Sequence, residues 1–433
     1  MDLVERDLRH VWHPGSQMSD YATFAPIEIV GAQGSYLIDA KGNRIIDAIS
    51  SWWCKSLGHK HPRLTQALIQ QAQQFEHVIG ANTCVAPVVK LAEKLAQLSP
   101  GCQKVFFACD GSSAVEIALK MSVHAQQRRG EFDKTEFIAL ENAYHGETIA
   151  TLSVSDCEIF KKPYESLLTP THFIKNIPYV HSIDDPLWKD CSSVWPAIEA
   201  SLVSRATHCA AIIVEPIVQG AGGMLIYSAD FLKRLSQFAK KHGIFLIVDE
   251  IMTGFGRTGT ALASYHADIQ PDLICLGKGL TAGYLPMSAV LVHDKIYDLF
   301  YGDYGPQTSF FHSHTHTGNA LAAAVACSAL DEYDETHCYA TVEENSDFLR
   351  TLMEQVASTT GALKNTRSIG AIVAADLINP DDLPRYGYQV FQHAIKLGAW
   401  LRPIGNTIYW LPPLNTSRDT LERLAEITAE AVG

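Results

Sequence analysis

The chain has 433 residues, which is long enough for two or three domains and a large hydrophobic core. Its 47% hydrophobic and 19% charged residues are ordinary for a globular protein, and the net charge of −13 argues against a general nucleic-acid binder. No apolar run approaches the ~18 residues of a membrane span, and charges interrupt the N-terminus where a signal peptide is apolar. The ten cysteines contain no CxxC pair, which excludes a zinc ribbon and predicts a reduced, cytoplasmic protein. Together with the charge and the lack of a long apolar run, we predict a protein that binds neither nucleic acid nor membrane.

The first 60 residues predict an antiparallel meander. Three short apolar runs are separated by glycine-containing turns, at residues 27–30, 36–39 and 44–47. Trp52 and Trp53 follow the third run. Two adjacent tryptophans either fill a core or wall an apolar pocket, and the sequence alone favours core filling.

Alternating strands and helices dominate the middle of the chain. Continuous apolar runs bounded by turn residues are typical of parallel strands buried on both faces, and they occur at 104–109, 137–140, 210–214, 245–248 and 272–276. Helical patterns separate them, so a doubly wound α/β domain is predicted. Residues 156–190 are proline-rich and predict an irregular segment.

Two strand ends carry reactive side chains. The run at 245–248 ends at Asp249, and the run at 272–276 ends at Lys278, which lies between two glycines. In parallel sheets ligands bind at the carboxyl ends of the strands. A lysine amine that condenses with an aldehyde, and a carboxylate that keeps a pyridine nitrogen protonated, are what pyridoxal phosphate requires. The alternative is an ordinary salt bridge at the rim of the sheet.

Other strand ends carry polar or aromatic residues. Residues 110–113 lie between a strand and a helix, where free N–H groups and the helix dipole bind phosphate. A plain helix cap explains the same Asp and Ser equally well. Tyr144 follows the strand at 137–140 and is suited to stacking on a flat cofactor ring.

Two further patterns point to other kinds of site. The segment 254–259 matches G-x-G-x-x-G, but no strand precedes it directly and no clear helix follows, which disfavours an NAD-dependent oxidoreductase. His312, His314 and His316 alternate as metal ligands on a strand do, yet no acidic cluster accompanies them, so no metal site is predicted. A non-enzymatic binding protein is disfavoured because polar groups converge at the strand ends.

The last hundred residues predict a smaller α+β unit. Helical and strand patterns alternate over 334–397, and further apolar runs follow near Arg402 and at 407–411. We predict an N-terminal part of the small domain (1–60), a large domain (61–325) and a C-terminal small domain (326–433).

The chain resembles the class III (fold-type I) pyridoxal-phosphate-dependent aminotransferases over essentially its whole length. Val248-Asp249-Glu250, then Gly254 to Gly259, then Gly277-Lys278-Gly279 match the class motif in order and spacing. The resemblance implies a central, mostly parallel sheet with a smaller α+β domain formed by both chain ends. It also implies a homodimer with the active site at the interface. The resemblance implies that Lys278 forms the Schiff base and that Asp249 pairs with the pyridinium. It implies that Gly111 and Ser112 hold the phosphate and that Tyr144 stacks on the ring. It further implies that His314 binds the cofactor and that Thr315 reaches the phosphate of the neighbouring subunit.

Subfamily features resemble the branch that acts in biotin synthesis. These are the segments 12–14, 51–53, 215–223 and 402–403. The resemblance implies 8-amino-7-oxononanoate as amino acceptor and S-adenosylmethionine as donor. It also implies that Trp52, Tyr144, Ser313 and Arg402 contact substrate beside Lys278, with Arg402 binding the substrate carboxylate. The alternative is an ω-aminotransferase for other amines.

One position departs from this branch. The branch usually has an aromatic residue after Trp-His-Pro, and this chain has Gly15. Tyr21 and Phe24 are candidates for filling the gap. The segments 283–286 and 310–314 also look closer to family members that use lysine as donor, so lysine is the alternative donor.

Overall fold

The computed structural model describes residues 1–433. The strands are β1 (Ile29–Gln33), β2 (Tyr36–Asp39), β3 (Arg44–Ile46), β4 (Lys104–Ala108), β5 (Glu136–Leu140), β6 (Thr171–Ile174), β7 (Tyr179–Val180), β8 (Cys209–Val214), β9 (Val218–Gln219), β10 (Leu225–Tyr227), β11 (Phe245–Asp249), β12 (Leu273–Leu276), β13 (Ser288–Val292), β14 (Leu363–Ile369), β15 (Ile372–Leu377) and β16 (Thr407–Trp410). The helices are α1 (Leu3–His10), α2 (Ser50–Trp53), α3 (Pro62–Ala72), α4 (Ala86–Ala96), α5 (Gly111–Arg128), α6 (Ile149–Ser153), α7 (Glu158–Lys161), α8 (Pro186–Lys189), α9 (Trp195–Val203), α10 (Ala229–Lys241), α11 (Asp294–Tyr297), α12 (Ala320–Glu335), α13 (Cys338–Thr360), α14 (Tyr386–Leu397) and α15 (Arg418–Val432). Five 3-10 helices lie at Met18–Ala22, Lys162–Leu167, Ala263–Ala267, Lys278–Thr281 and Asp298–Phe300.

A seven-stranded sheet forms the centre of the molecule, in the order β4-β13-β12-β11-β8-β5-β6. β13 runs antiparallel to both of its neighbours, and the other strands are parallel to one another. The predicted mostly parallel sheet is confirmed. β11 and β12 are parallel neighbours, so the segments that carry Asp249 and Lys278 leave the sheet at the same edge.

The central strands are apolar throughout because both of their faces are covered. In β11, Leu246 and Val248 belong to the hydrophobic cluster on one face of the sheet. Phe245 and Ile247 belong to the cluster on the other face. This arrangement explains the continuous apolar runs, since neither face of such a strand meets water.

The two ends of the chain pack together. Ile46 and Ala48 lie in the same core cluster as residues of β15, β16 and α15. Backbone hydrogen bonds join them: the Ile46 N–H donates to the Gly398 carbonyl at 2.8 Å, and the Leu411 N–H donates to the Ala48 carbonyl at 2.8 Å. The predicted meander is confirmed as the sheet β1-β2-β3, and β14-β15-β16 forms a second antiparallel sheet. The domain boundaries at residues 60 and 325 stay a prediction.

One structural expectation is wrong. The segment 156–190 is not wholly irregular, because β6 within it pairs in parallel with β5 and forms one edge of the central sheet. Three of its four residues are only half-buried, so the strand lacks the continuous apolar run of the others. None of the helices is both long and apolar enough to span a bilayer.

Candidate active site

A cavity of about 380 Å³ opens at the carboxyl ends of the central strands. Five of the residues predicted from the sequence line it together: Gly111, Ser112, Tyr144, Asp249 and Lys278. They come from four different strand ends or the turns that follow them. The cavity lies where the rule for parallel sheets predicts a ligand.

Lys278 reaches the cavity from the turn after β12. Its backbone adopts a positive φ of 41°, and its amine lies 4.4 Å from the centroid of the Trp53 ring. Burial lowers the pKa of this amine below its usual value, while the Asp249 carboxylate opposes that shift. The nitrogen has no ion-pair partner closer than 4 Å, so a simple salt bridge with Asp249 is not formed.

Asp249 is buried and oriented by a histidine. Its Oδ2 atom lies 2.8 Å from Nδ1 of His145, and its Oδ1 accepts a hydrogen bond from the Ile251 N–H at 3.2 Å. Only 5% of Asp249 is exposed. The Nε2 atom of His145 is buried without a partner in the chain. A carboxylate held in this way can face a cationic ring nitrogen.

Tyr144 is fixed through a second buried carboxylate. The Tyr144 N–H donates to Oε1 of Glu215 at 2.9 Å, and the Gly220 N–H donates to Oε2 at the same distance. The Tyr144 hydroxyl donates to Glu147 at 2.9 Å. Burial raises the pKa of Glu215 to about 7. The tyrosine ring is therefore held at the cavity by both its backbone and its hydroxyl group.

The N-terminus of α5 forms the polar end of the cavity. Asp110 caps this helix, since its carboxylate accepts from the Ser113 N–H at 2.9 Å and from the Ser113 hydroxyl at 2.8 Å. The capping alternative is thus confirmed. The cap formed by Asp110 still leaves room for an anion. Gly111 and Ser112 face the cavity at the positive end of an 18-residue helix. A Cβ atom at Gly111 would lie 3.0 Å from Cδ1 of Ile251, so a larger residue here would require the Ile251 side chain to shift.

Arg402 and Trp52 lie beside one another, outside the set of residues that line the cavity. The Arg402 guanidinium stacks 4.8 Å from the Trp52 ring, and its Nη2 donates to the Gly15 carbonyl. Trp52 is 47% exposed, so the core-filling interpretation is wrong for this residue. Trp53 is 6% exposed and both packs in the core and lines the cavity.

The aromatic residues proposed to replace the missing side chain at Gly15 lie elsewhere. The atoms nearest to a Cβ built at Gly15 belong to Trp52, at 3.2 Å, and to Arg402, at 3.5 Å. Phe24 packs against Phe391, and Tyr21 packs against His13 with the two rings tilted by 60°. Trp52 thus occupies the space directly in front of Gly15, and neither Tyr21 nor Phe24 supplies one of the three nearest atoms.

The segment around Thr315 lies apart from the cavity of its own chain. Ser313 and Thr315 are exposed. His314 and His312 share a hydrogen bond of 2.9 Å between their Nε2 atoms, whereas the His316 ring packs against the tilted ring of His77. No group of three or more metal-ligating side chains forms here or elsewhere in the chain.

The glycine pattern at 254–259 forms a closed turn. The Phe255 N–H donates to the Ala261 carbonyl at 2.7 Å, and the Gly256 N–H donates to the Thr260 carbonyl at 3.1 Å. A 3-10 helix at Ala263–Ala267, not an α-helix, follows it. The structural context of a dinucleotide fingerprint is missing.

Sequence reasoning assigned no role to two residues of the site, His145 and Glu215. His145 directly follows Tyr144 in the chain, and Glu215 directly follows the apolar run at 210–214. A search for every polar residue at a strand end would have found Glu215. Nothing local marks His145 as the partner of Asp249, because 104 residues separate them.

The comparisons agree with this geometry. The family model Aminotransferase class-III matches residues 18–432. Adenosylmethionine-8-amino-7-oxononanoate aminotransferase of Helicobacter pylori is 38% identical over 431 residues, which cover 98% of this chain and 95% of the relative. The protein of the same name from Synechococcus elongatus is 38% identical over 409 residues, covering 93% and 94%.

Solved structures show the same fold. The crystal structure of adenosylmethionine-8-amino-7-oxononanoate aminotransferase from Methanocaldococcus jannaschii matches with a TM-score of 0.91 and 30% identity, covering 99% of this chain and 98% of that one. An amine transaminase from an uncultivated Pseudomonas species, in its pyridoxal-phosphate-bound form, matches with a TM-score of 0.89 and 28% identity, covering 98% of each chain.

Proposed function

Because the chain belongs to the class III aminotransferases and is a pyridoxal-phosphate-dependent transaminase, we propose that it aminates 8-amino-7-oxononanoate to 7,8-diaminononanoate in biotin synthesis. The observation that carries this proposal is the Arg402–Trp52 pair, a cation beside an apolar ring, one residue along the chain from Trp53, which lines the cavity. It suits an acceptor with a carboxylate at one end of a long alkyl chain. The names of the full-length relatives support the same acceptor. We also propose a cytoplasmic location, on the cysteine pattern of the sequence.

The residues around the cavity fit the cofactor of the family. When bound, pyridoxal phosphate would supply an aldehyde that condenses with amines and a ring that withdraws electrons. We assign its phosphate to Gly111 and Ser112, because glycine leaves room there and the helix end is positive. Tyr144 would stack on the ring, and Asp249 would face the ring nitrogen.

Lys278 and Asp249 would divide the chemistry between them. The amine of Lys278 would carry the cofactor and, once released by a substrate amine, would move a proton between the substrate Cα and the cofactor's C4′ atom. Burial lowers the pKa of this amine, which increases its neutral, basic fraction. Asp249 would keep the ring nitrogen protonated, and His145 would hold its carboxylate in the required orientation.

The acceptor assignment is tested with a panel of keto acids. Arg402→Ala should raise KM for 8-amino-7-oxononanoate by about tenfold or more, because a charge-assisted contact is lost. KM for a keto acid without a distal carboxylate should change little. Arg385→Ala is the matched control, since Arg385 also stacks on an aromatic ring, Tyr388 at 4.4 Å, while bound to Asp20. A wild-type enzyme that prefers other carbonyl compounds over 8-amino-7-oxononanoate would establish an ω-aminotransferase instead.

The proposed donor is S-adenosylmethionine, and lysine is the second candidate because of Gly15. S-adenosylmethionine carries a cationic sulfur and a flat adenine, both of which favour aromatic surroundings. Tyr144 can supply one aromatic face, and Gly15 supplies none. The loss of one aromatic contact, about 0.5–1.5 kcal/mol, weakens a donor about threefold to tenfold without abolishing its use.

A half-reaction distinguishes the donors. The cofactor-loaded enzyme is mixed with each donor separately, and the conversion of the cofactor to its amino form is followed by absorbance. Rapid conversion by lysine with none by S-adenosylmethionine would reject the first choice. Gly15→Tyr should accelerate the S-adenosylmethionine reaction if the missing aromatic limits it. Gly15→Ala is the control for strain, because φ at this position is +56° and Trp52 lies close by.

We further propose a homodimer with the site at the interface. Thr315 and His314 would bind the phosphate in the neighbouring subunit, and Ser313 would contact its substrate. The exposure of Ser313 and Thr315, away from the cavity of their own chain, supports this arrangement.

A further inference from the structure

The segment Ser50–Trp53 is a left-handed helical turn. Four consecutive residues other than glycine have positive φ: Ser50 (51°), Ser51 (47°), Trp52 (78°) and Trp53 (73°). The turn is closed as a helix is, since the Trp53 N–H donates to the Ile49 carbonyl at 2.8 Å and the Cys54 N–H donates to the Ser50 carbonyl at 3.0 Å. Every residue with a Cβ disfavours this conformation, and runs of it are rare. Surrounding contacts must therefore hold the turn in place.

A buried carboxylate supplies such contacts. Oδ1 of Asp47 accepts from the Ser51 N–H at 2.8 Å. Oδ2 accepts from the Ser51 hydroxyl at 2.6 Å and lies 2.8 Å from Nε2 of His59. Asp47 is fully buried, and the His59 side chain is 9% exposed. We refer to Asp47, Ser51 and His59 as the Asp47 clasp.

The turn determines where the two tryptophans point. Trp53 lies 4.4 Å from the amine of Lys278, and its indole N–H donates to the Tyr409 hydroxyl at 2.9 Å. Trp52, one residue earlier, lies beside Arg402 instead. A right-handed or extended backbone at these residues would send both side chains in other directions. One strained turn thus places an aromatic ring against each of two residues assigned to the reaction.

We propose that Asp47 and His59 are positioning residues, which hold the left-handed turn and thereby set Trp53 against Lys278 and Trp52 against Arg402. This inference rests on the proposed roles of Lys278 and Arg402. Neither Asp47 nor His59 lines the cavity, so both would act through the tryptophans. A competing explanation is that the Asp47 charge acts on the site directly, at long range.

Two substitutions at one position separate backbone strain from other effects. Ser51→Ala and Ser51→Gly both remove the hydroxyl bound by Asp47, but only alanine keeps a Cβ in the left-handed conformation. If the clasp opposes strain, Ser51→Ala should raise KM for the acceptor about tenfold and shift the visible absorption of the bound cofactor. Ser51→Gly should raise KM at most about threefold, because glycine adopts the turn readily.

A rescue experiment tests Asp47 itself. Asp47→Asn should weaken acceptor binding more than it lowers kcat, and adding Ser51→Gly to that variant should recover most of the loss. His59→Gln should change the absorption in the same direction. Asp39→Asn is the matched control, because Asp39 also holds a turn through three hydrogen bonds, to Lys41 and Asn43, on the exposed meander.

The role of the Asp47 clasp and the identity of the acceptor can fail independently in these experiments. Equal defects in Ser51→Ala and Ser51→Gly would overturn it, as would an Asp47→Asn defect that glycine does not rescue. If Asp47→Asn does not fold, the comparison at Ser51 decides alone. A wild-type enzyme inactive toward 8-amino-7-oxononanoate would reject the acceptor, yet the cofactor absorption of the variants would still report on the turn.

Discussion

The chemistry predicted for this chain depends on one lysine. Lys278→Ala should abolish turnover and remove the visible absorption that a lysine-bound cofactor gives, because no other amine is among the residues that line the cavity. Spectra and steady-state rates measure both effects. Lys55→Ala is a matched control, since Lys55 is also close to the site, yet its amine donates to the Gly283 carbonyl at 2.8 Å. Transamination by the Lys278 variant would show that the assignment is wrong.

Asp249 should affect rate more than binding. Asp249→Asn removes the negative charge that would stabilise a protonated ring nitrogen, so we expect the variant to retain the cofactor and to turn over at least about 100-fold more slowly. Equilibrium titration of the cofactor and single-turnover rates separate the two effects. Loss of cofactor binding with an unchanged rate per loaded site would contradict the role given to this carboxylate.

Sequence patterns identified the residues whose neighbours are local. Lys278, Asp249 and Gly111 each directly follow an apolar run or its turn, and such positions can be located from periodicity. The partners of these residues could not be found in this way. Asp249 and His145 are 104 positions apart, and only the pairing of distant strands brings them together. The left-handed turn at Ser50–Trp53 was also missed, because two serines and two tryptophans carry no glycine signal for positive φ.

Among the elements, the strands buried on both faces were the most predictable. β8, β11 and β12 consist of fully buried residues, so their boundaries follow closely from the apolar runs. β6 was missed because it is an edge strand of four residues with partial burial. β14 was missed as well, since it contains Lys364, Asn365 and Arg367. Edge and amphipathic strands are defined by what packs on them, which a single sequence does not contain.

The fit between Gly111, at the N-terminus of α5, and Ile251 should affect cofactor binding. Gly111→Ala places a Cβ about 3.0 Å from Cδ1 of Ile251. Because overpacking costs about 1–3 kcal/mol, the helix end should shift and cofactor binding should weaken by roughly tenfold or more. Absorbance titration of the apoenzyme measures the affinity. Gly305→Ala is the control, since nothing lies within 4 Å of a Cβ there. Equal cofactor affinities for the two variants would remove Gly111 from the phosphate site.

At the scale of the whole molecule, the two chain ends depend on each other. The core beneath β15 and β16 includes Ile46 and Ala48 from the N-terminal segment. The same segment leads within a few residues to Trp52 and Trp53, while the C-terminal strands lead from Arg402 to Tyr409. If the proposed roles of Trp52 and Arg402 hold, both ends of the chain would supply the substrate side of the site and the middle would supply the cofactor side.

The proposed dimer is tested by mixing two defective variants. Lys278→Ala removes the reactive amine, and Thr315→Ala would weaken cofactor binding in the neighbouring subunit if Thr315 acts across the interface. In a hybrid dimer, the subunit that keeps Lys278 would then receive an intact Thr315 from its partner. We expect about half of the hybrid's sites to regain wild-type cofactor affinity and turnover, because the other half carry both defects. Sedimentation of each sample confirms that hybrids and parents have the same mass. Hybrids with no restored site would show that Thr315 acts only within its own chain, and an active monomer at assay concentration would reject the dimer.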